Sequence, residues 1–388
     1  MGSMPESLPG VGMKALLLLL SAWLTSPAHA QGLVDCPLRD AAYSTQSPLY
    51  DVLINPAARA VVERDQPDLF KHIPPALLSP QIPSFATIMT LRQAAEFIGA
   101  PVAAMATIDR DLAAIPVTRA DRIARCARYD TAPPRLAFAA GRPRLLLFEK
   151  INGFRDSPSV AAAHAAFVDI AARKGWTLVT TDRGSAFAPA ILRRFDAVIW
   201  NNVSGDVLTL SQRRAFQAYI GHGGGFVGVH GSAGDPVYFW PWYADDLIGA
   251  RFAGHPLAKQ FQTAHVTLAA DAGPIAAGLP ASWDMTEEWY SFSTNPRATG
   301  AHVIATLDEA SYDPDGGPAG VNLRMGDHPL VWTRCVGAGS DRHGAGRMFY
   351  SAIGHRPEHY ANPVYVRLLE QAIAWAAGRD RRACGAGR

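Results

Sequence analysis

No Cys-x-x-Cys pair and no His-Glu-x-x-His occurs in these 388 residues, and no Gly-x-Gly-x-x-Gly follows the first predicted strand. The first two absences remove the compact zinc and dithiol spacings. The third removes the backbone cradle that a dinucleotide-binding dehydrogenase builds around pyrophosphate. Charge of one sign is also missing, because 36 Lys and Arg stand against 34 Asp and Glu for a formal net charge of +2. With no basic cluster interleaved with aromatics, nucleic acid is excluded as a partner class. Past the N-terminus no run of about 18 apolar residues appears, so no membrane span is expected.

At the N-terminus, Lys14 precedes an apolar run over residues 15–24, and Ala28-His29-Ala30 supplies a small-x-small cleavage site. This is the pattern of a secretory signal peptide over residues 1–30, cleaved near Ala30, and it predicts a periplasmic or secreted protein. Met1 and Met13 both fit as the start. Four cysteines remain, Cys36, Cys126, Cys335 and Cys384, and an even count in an oxidising compartment predicts two disulfides. Three pairings are possible. Cys36 with Cys126 and Cys335 with Cys384 is preferred, because each bond then staples one region to its own terminus.

Residues 31–140 read as a small helical domain punctuated by proline. Asn55 and Pro56 form an N-cap and first helical position, Thr90 caps a second helix through Phe97, and residues 102–115 are an alanine-rich candidate. No His, Asp, Glu or Cys cluster converges here, which leaves an accessory or packing role. Thr131-Ala-Pro-Pro134 and Gly141-Arg-Pro143 break both periodicities and mark a linker.

From residue 141 to 388 the character changes to alternating strands and helices. Strands are predicted at 144–148, 176–180, 195–200 and 226–229, with helices at 161–173 and from Thr209 to Gly221. Two further strands follow at 330–335 and 347–351, and a closing helix at 365–377. The fold class is therefore α/β, a doubly wound, mostly parallel sheet, preceded by the small all-helical domain. His230 stands at the carboxyl end of the 226–229 strand, where ligands of open α/β sheets bind. Trp240, Trp242, Tyr243, Phe252, His255, Trp289 and Tyr290 form an aromatic-rich stretch that suits either sugar faces or a core.

Taken together, NGFRDS at 152–157, GGGFVGVH at 223–230, WYADDLIGARF at 242–252, GHP at 254–256, EEWY at 287–290, PLVW at 329–332, GRMFY at 346–350 and Gly354-His355 resemble the trehalose-utilisation (ThuA-like) family. The resemblance runs from about residue 144 to 379 and implies a fold related to class I glutamine amidotransferases. Two departures stand out: Arg155 meets Asp156 directly where the family often inserts a histidine, and the usual Asp-Glu pair is Glu287-Glu288. The turn on which the amidotransferases carry their cysteine carries His230 here. Glutamine-derived ammonia transfer is disfavoured without that nucleophile. His355 falls where those relatives keep their catalytic histidine, with Glu358 three residues on.

For a chain whose signal pattern predicts export, the resemblance implies a protein of carbohydrate metabolism, and the histidines and carboxylates at one rim suit acid–base chemistry on a disaccharide, keto-glycoside or other sugar derivative. The alternative is a non-catalytic carbohydrate-binding or scaffolding protein. The expected catalytic residues are His355, Glu288 and His230, and the expected substrate contacts are Asn152, Arg155, Asp156, Trp242, Tyr243, His255 and Tyr290. His230, His255, Glu288 and His355 are candidate ligands for a divalent cation, zinc or manganese. The expected partner is a small-molecule carbohydrate.

Overall fold

The computed structural model describes residues 33–99, 105–318, 320–337, 345–378 and 384. The expected signal peptide, its cleavage point and the start of the alanine-rich helix at Val102 lie outside them. Val34–Arg388 pack as one compact unit, and no described helix is long and apolar enough to cross a membrane.

The helical segment is organised by its caps. Asn55 accepts from the Ala58 N–H and starts the helix Pro56–Asp65 with proline in its first turn, where a missing N–H costs nothing. Thr90 and Gln93 close a capping box on Leu91–Phe97, and Thr118 with Asp121 does the same for Arg119–Cys126. The short helix Leu49–Leu53 and the helix Met105–Ala113 complete a separate apolar cluster around Leu49, Val52, Val62, Leu91, Ile108 and Leu112. Residues 131–143 then cross to the α/β part without regular structure, tied down where Thr177 Oγ1 donates to Ala139 O and where Phe138 packs on Phe195.

The α/β part contains β1 (Arg144–Phe148), β2 (Thr177–Thr181), β3 (Ala197–Asn201), β4 (Gly225–Val229), β5 (Phe252–Gly254), β6 (Phe261–Leu268), β7 (Ser282–Glu288), β8 (Ser291–Phe292), β9 (His302–Leu307), β10 (Pro329–Val336) and β11 (Gly346–Ser351). Nine of these form one sheet in the order β2-β1-β3-β4-β11-β10-β9-β6-β7, while β5 and β8 pair separately. The apolar runs expected as buried strands become its parallel half, with β3 and β4 buried at every residue. Gly225 is required there: a Cβ would stand 2.3 Å from Ala376 O of the closing helix Pro363–Ala377.

Beyond β11 every pairing is antiparallel. Following the pairings, only β10 and β6 run against the rest, so the carboxyl ends of β1, β3, β4, β11 and β7 share one edge of the sheet. That common edge sets the site. The wing of β6, β7 and β9 is not foreseen from sequence, because Ser282–Glu288 carries three acids and β6 alternates weakly, with only Ala264 and Val266 buried. The helix expected from Ala161 begins earlier, at Ser157, because Asp156 caps it and Pro158 fits its first turn; it ends at Gly175 with φ 67°.

Cys36 bonds Cys126 and Cys335 bonds Cys384, the preferred pairing, with Cα atoms 5.5 and 5.7 Å apart. Denatured but unreduced protein is expected to titrate no free thiol with a chromogenic disulfide reagent. Opening the longer loop by replacing Cys36 and Cys126 with serine should lower stability by about 4 kcal/mol, the entropy of closing a loop of that length. Four titratable thiols, or an unshifted urea midpoint in the double variant, would contradict this.

Candidate active site

His230 is delivered by β4, whose backbone turns sharply after Val229 into the short 3-10 helix His230–Ala233. Its φ is +37°, in the left-handed region that a residue with a side chain seldom adopts, and the neighbours hold it there. Asn202 Oδ1 accepts from the Gly231 N–H at 3.1 Å, and Tyr350 Oη donates to His230 O at 2.8 Å. The imidazole Nδ1 lies 2.8 Å from Ala352 O. A carbonyl can only accept, so Nδ1 carries the proton and the Nε2 lone pair of neutral His230 points inward. The Tyr290 ring stacks on the other side, with centroids 4.2 Å apart.

Two groups meet that lone pair. His355 Nδ1 is 3.0 Å from His230 Nε2, and Glu288 Oε2 lies 2.9 Å from His355 Nδ1 and 3.2 Å from His230 Nε2. Three atoms that are all acceptors when unprotonated are thus in mutual contact, so at least one proton has to lie among them. The titration directions agree. Burial lowers His355, but the Glu288 carboxylate outweighs it and raises the imidazole above its ordinary value. Burial raises Glu288, yet its contacts with His230 and His355 hold it well below the usual carboxylate range. For His230 burial wins, and its pKa is lowered. Neutral His230 and ionised Glu288 are therefore favoured, and Glu288 stabilises the imidazolium form of His355.

The carboxylate is held at both oxygens. Gln260 Nε2 donates to Glu288 Oε1 at 2.6 Å, and His255 Nε2 lies 3.2 Å from the same oxygen. Glu287 turns the other way. It accepts from the backbone N–H groups of Glu288 at 2.7 Å, Gly354 at 2.8 Å and His355 at 3.2 Å, so it fastens the end of β7 to the loop that carries His355. Burial pushes its carboxyl up to about 8 against the pull of those donors. His359 adds a further tie, donating from Nε2 to Thr286 O at 2.8 Å.

A family model described as trehalose utilisation, ThuA, matches residues 144–376, more than half of the chain. The chain belongs to the ThuA family. Among solved structures, a ThuA-like protein from Bacteroides uniformis is similar at 25% identity and a TM-score of 0.51, over 64% of this chain and 96% of that one. A ThuA-like protein from Parabacteroides merdae follows at 17% identity and 0.42, over 61% and 90%. A GMP synthase-like protein from Thermoplasma acidophilum aligns at 12% and 0.33, over 59% and 92%. No curated protein matches the chain.

Within the ThuA fold the three expected catalytic residues are neighbours, and His255 and Tyr290 border them. Of the other expected substrate contacts, all but Arg155 have structural partners in the fold. Asp156 caps its helix by accepting from the Ser159 N–H at 3.2 Å, and the Ser159 hydroxyl is shared between Asp156 Oδ2 and His355 O. Asn152 is buried, its Nδ2 donating to Asp206 O. Tyr243 is a correction: its ring is 2% exposed and stacked on Trp200, and its hydroxyl donates to Ser232 O, so no face remains for a sugar. Trp242 joins the same aromatic layer through Trp240 and Phe216. Arg155 is exposed, within 3.4 Å of Ser157 Oγ. Glu358, three residues after His355, pairs with Arg356.

Gln260 and His359 escape sequence reasoning, as does the fastening role of Glu287. Glu287 carries a signal, the acidic doublet with Glu288, whereas Gln260 and His359 sit in polar segments whose pairing only the antiparallel wing decides.

Proposed function

We propose that this ThuA protein is an exported enzyme acting on a sugar or sugar derivative, a glycoside or keto-glycoside, as a hydrolase or lyase by acid–base chemistry at His355, Glu288 and His230. The observation that carries the reading is the mutual contact of those three donor atoms at the common edge of the strand ends. His355 is the proton-transferring group: its Nδ1 is engaged with Glu288, which leaves Nε2 for the substrate. Glu288 holds the imidazolium, and His230, fixed in tautomer by Ala352 O, contacts the substrate. Glutamine amidotransfer is not part of the proposal, because a histidine stands on the turn after β4 where that chemistry needs a thiol. The N-terminal signal pattern and the two disulfides support export.

The same residues fit a divalent cation. Donors about 2.1 Å from one zinc at a tetrahedral angle would stand roughly 3.4 Å apart, and these three stand slightly closer. His230 also has the backbone carbonyl partner on its other nitrogen that metal-bound histidines use. A zinc or manganese ion held there would act as a Lewis acid toward a substrate oxygen.

Turnover of a panel of glycosides and 3-keto-glycosides, by protein dialysed against chelator and by the same protein with zinc or manganese restored, tests this reading. Turnover is expected in at least one arm, and the arm identifies whether the triad works with a proton or an ion. A thermal shift with sugars but turnover in neither arm would replace the enzyme with the carbohydrate-binding alternative. No shift and no turnover would remove both.

A further inference from the structure

The family match begins at residue 144, yet the helical segment before it reaches the site. Its 3-10 turn Phe85–Thr87 sits directly on the loop after β1. The Ser84 N–H donates to Asn152 O at 2.9 Å, and Thr87 Oγ1 donates to the same oxygen at 3.0 Å. From the opposite side the N–H groups of Asn152 and Gly153 donate to Ser204 O at 3.0 and 2.9 Å. Gly153 is caught between the two: a Cβ there would stand 2.3 Å from Ser204 Oγ and 2.6 Å from Ile88 Cγ2. The loop is therefore clamped, and what it presents next is Phe154.

Phe154 connects three elements. Its ring lies 5.0 Å from Phe85 and 6.0 Å from the imidazole of His355. Phe261, from the first residue of β6, lies 5.1 Å from the same imidazole and is 42% exposed, while Phe85 and Phe154 are partly exposed. A continuous run of rings, Phe85–Phe154–His355–Phe261, thus passes from the helical segment across the proton-transferring group to the antiparallel wing. Phe261 is exposed and Phe85 and Phe154 partly so, and together they offer ring faces beside one imidazole of the kind that suit the CH-rich face of a sugar ring.

We propose that Phe85, Phe154 and Phe261 form an aromatic rim that takes the apolar face of a second ring, so that the preferred ligand is a two-ring sugar, a disaccharide or a glycoside with a cyclic aglycone. The helical segment is then a specificity element of the site. This rests on the sugar reading above. It adds to that reading by assigning part of substrate recognition to Phe85, which precedes the region shared with the family.

The test is a ratio of affinities, which a merely structural role would not move. Dissociation constants are measured by calorimetry for methyl α-glucopyranoside, a one-ring probe, and for trehalose and p-nitrophenyl α-glucopyranoside, two-ring probes. Wild-type protein is expected to favour the two-ring probes. Phe85→Ala and Phe261→Ala are each expected to reduce that preference by roughly two- to tenfold, the worth of one aromatic contact. Phe85→Tyr, which keeps the ring, is expected to retain it. An unchanged ratio in both alanine variants, with melting temperatures like wild type, overturns the rim alone. Binding of neither probe class by wild type overturns the sugar reading and the rim with it.

Discussion

Replacing His355 by Ala is expected to lower turnover of a sugar substrate by roughly 10²- to 10⁴-fold while the fold stays intact, the usual contribution of a positioned acid or base. His355 is singled out from the triad by access and charge. Its side chain is 10% exposed where those of Glu288 and His230 are 3%, and it is the histidine of the pair whose pKa is raised. Replacing His230 by Ala removes a neighbour rather than the proton carrier, and a smaller loss is expected. Circular dichroism and melting temperature separate chemistry from unfolding. Unchanged turnover in both variants, on a substrate that wild type converts, would sink the catalytic reading.

The pH profile gives a second readout on the same residue. In chelator-treated protein the Glu288 carboxylate is what keeps the buried His355 charged above its ordinary value of 6.5. An acid that is lost as pH rises sets the alkaline limb of the profile. Glu288→Gln removes the stabilising charge, so the limb is expected to move to lower pH. Stability follows the same signs. The raised His355 contributes stability fully present below about 6.5 and lost as pH rises through its folded value. The lowered Glu288 contributes stability present above about 4.5 and lost as pH falls through its folded value. The contribution of this pair is therefore largest between the two, on top of the decline above about 4.5 that the raised Glu287 imposes, and Glu288→Gln should remove the pair's contribution to urea resistance in that window.

His230 was legible from sequence because glycine-bounded apolar runs make buried strands, and a polar residue at the end of such a run has one place to go. His355 and Glu288 needed the resemblance as well, since 67 residues and the strands β8 to β11 separate them in the chain. What stayed hidden is the wing that closes the distance. Ser282–Glu288 is too acidic to read as a strand until its partner β6 is known, and sheet pairing is fixed by neighbours more than by intrinsic preference. Some of the expected substrate contacts have other partners in the fold for a different reason. Asp156 and Asn152 are hydrogen-bonding residues at loop ends, where capping a helix and clamping a loop draw on the same chemistry as holding a hydroxyl. Tyr243 was ambiguous because an aromatic serves core and ligand alike, and only burial decides.

The second large effect is expected far from the triad, at Asp51. This carboxylate is 1% exposed in the helical segment, with Arg128 Nη1 donating to Oδ1 at 2.9 Å and Arg125 Nε 3.7 Å from Oδ2. Both guanidiniums are themselves buried. Arg125 also donates to the carbonyls of Leu38, Arg39 and Ala41 and lies over the Tyr43 ring, and it precedes the bonded Cys126. Asp51 is therefore the carboxylate that faces both buried cations, with Asp121 acting on Arg125 as well. Asp51→Asn keeps the volume and removes the negative charge in contact with them, and losing one partner of a buried ion pair costs about 3–5 kcal/mol. The midpoint of urea unfolding should drop accordingly, and amide exchange should rise first in Leu49–Leu53 and Arg119–Cys126. Because the same segment clamps the loop carrying Phe154, the variant is also expected to lose two-ring sugar preference before it loses the parallel sheet. A stability change below about 1 kcal/mol would place the pair among ordinary surface contacts and remove the helical segment's ionic lock.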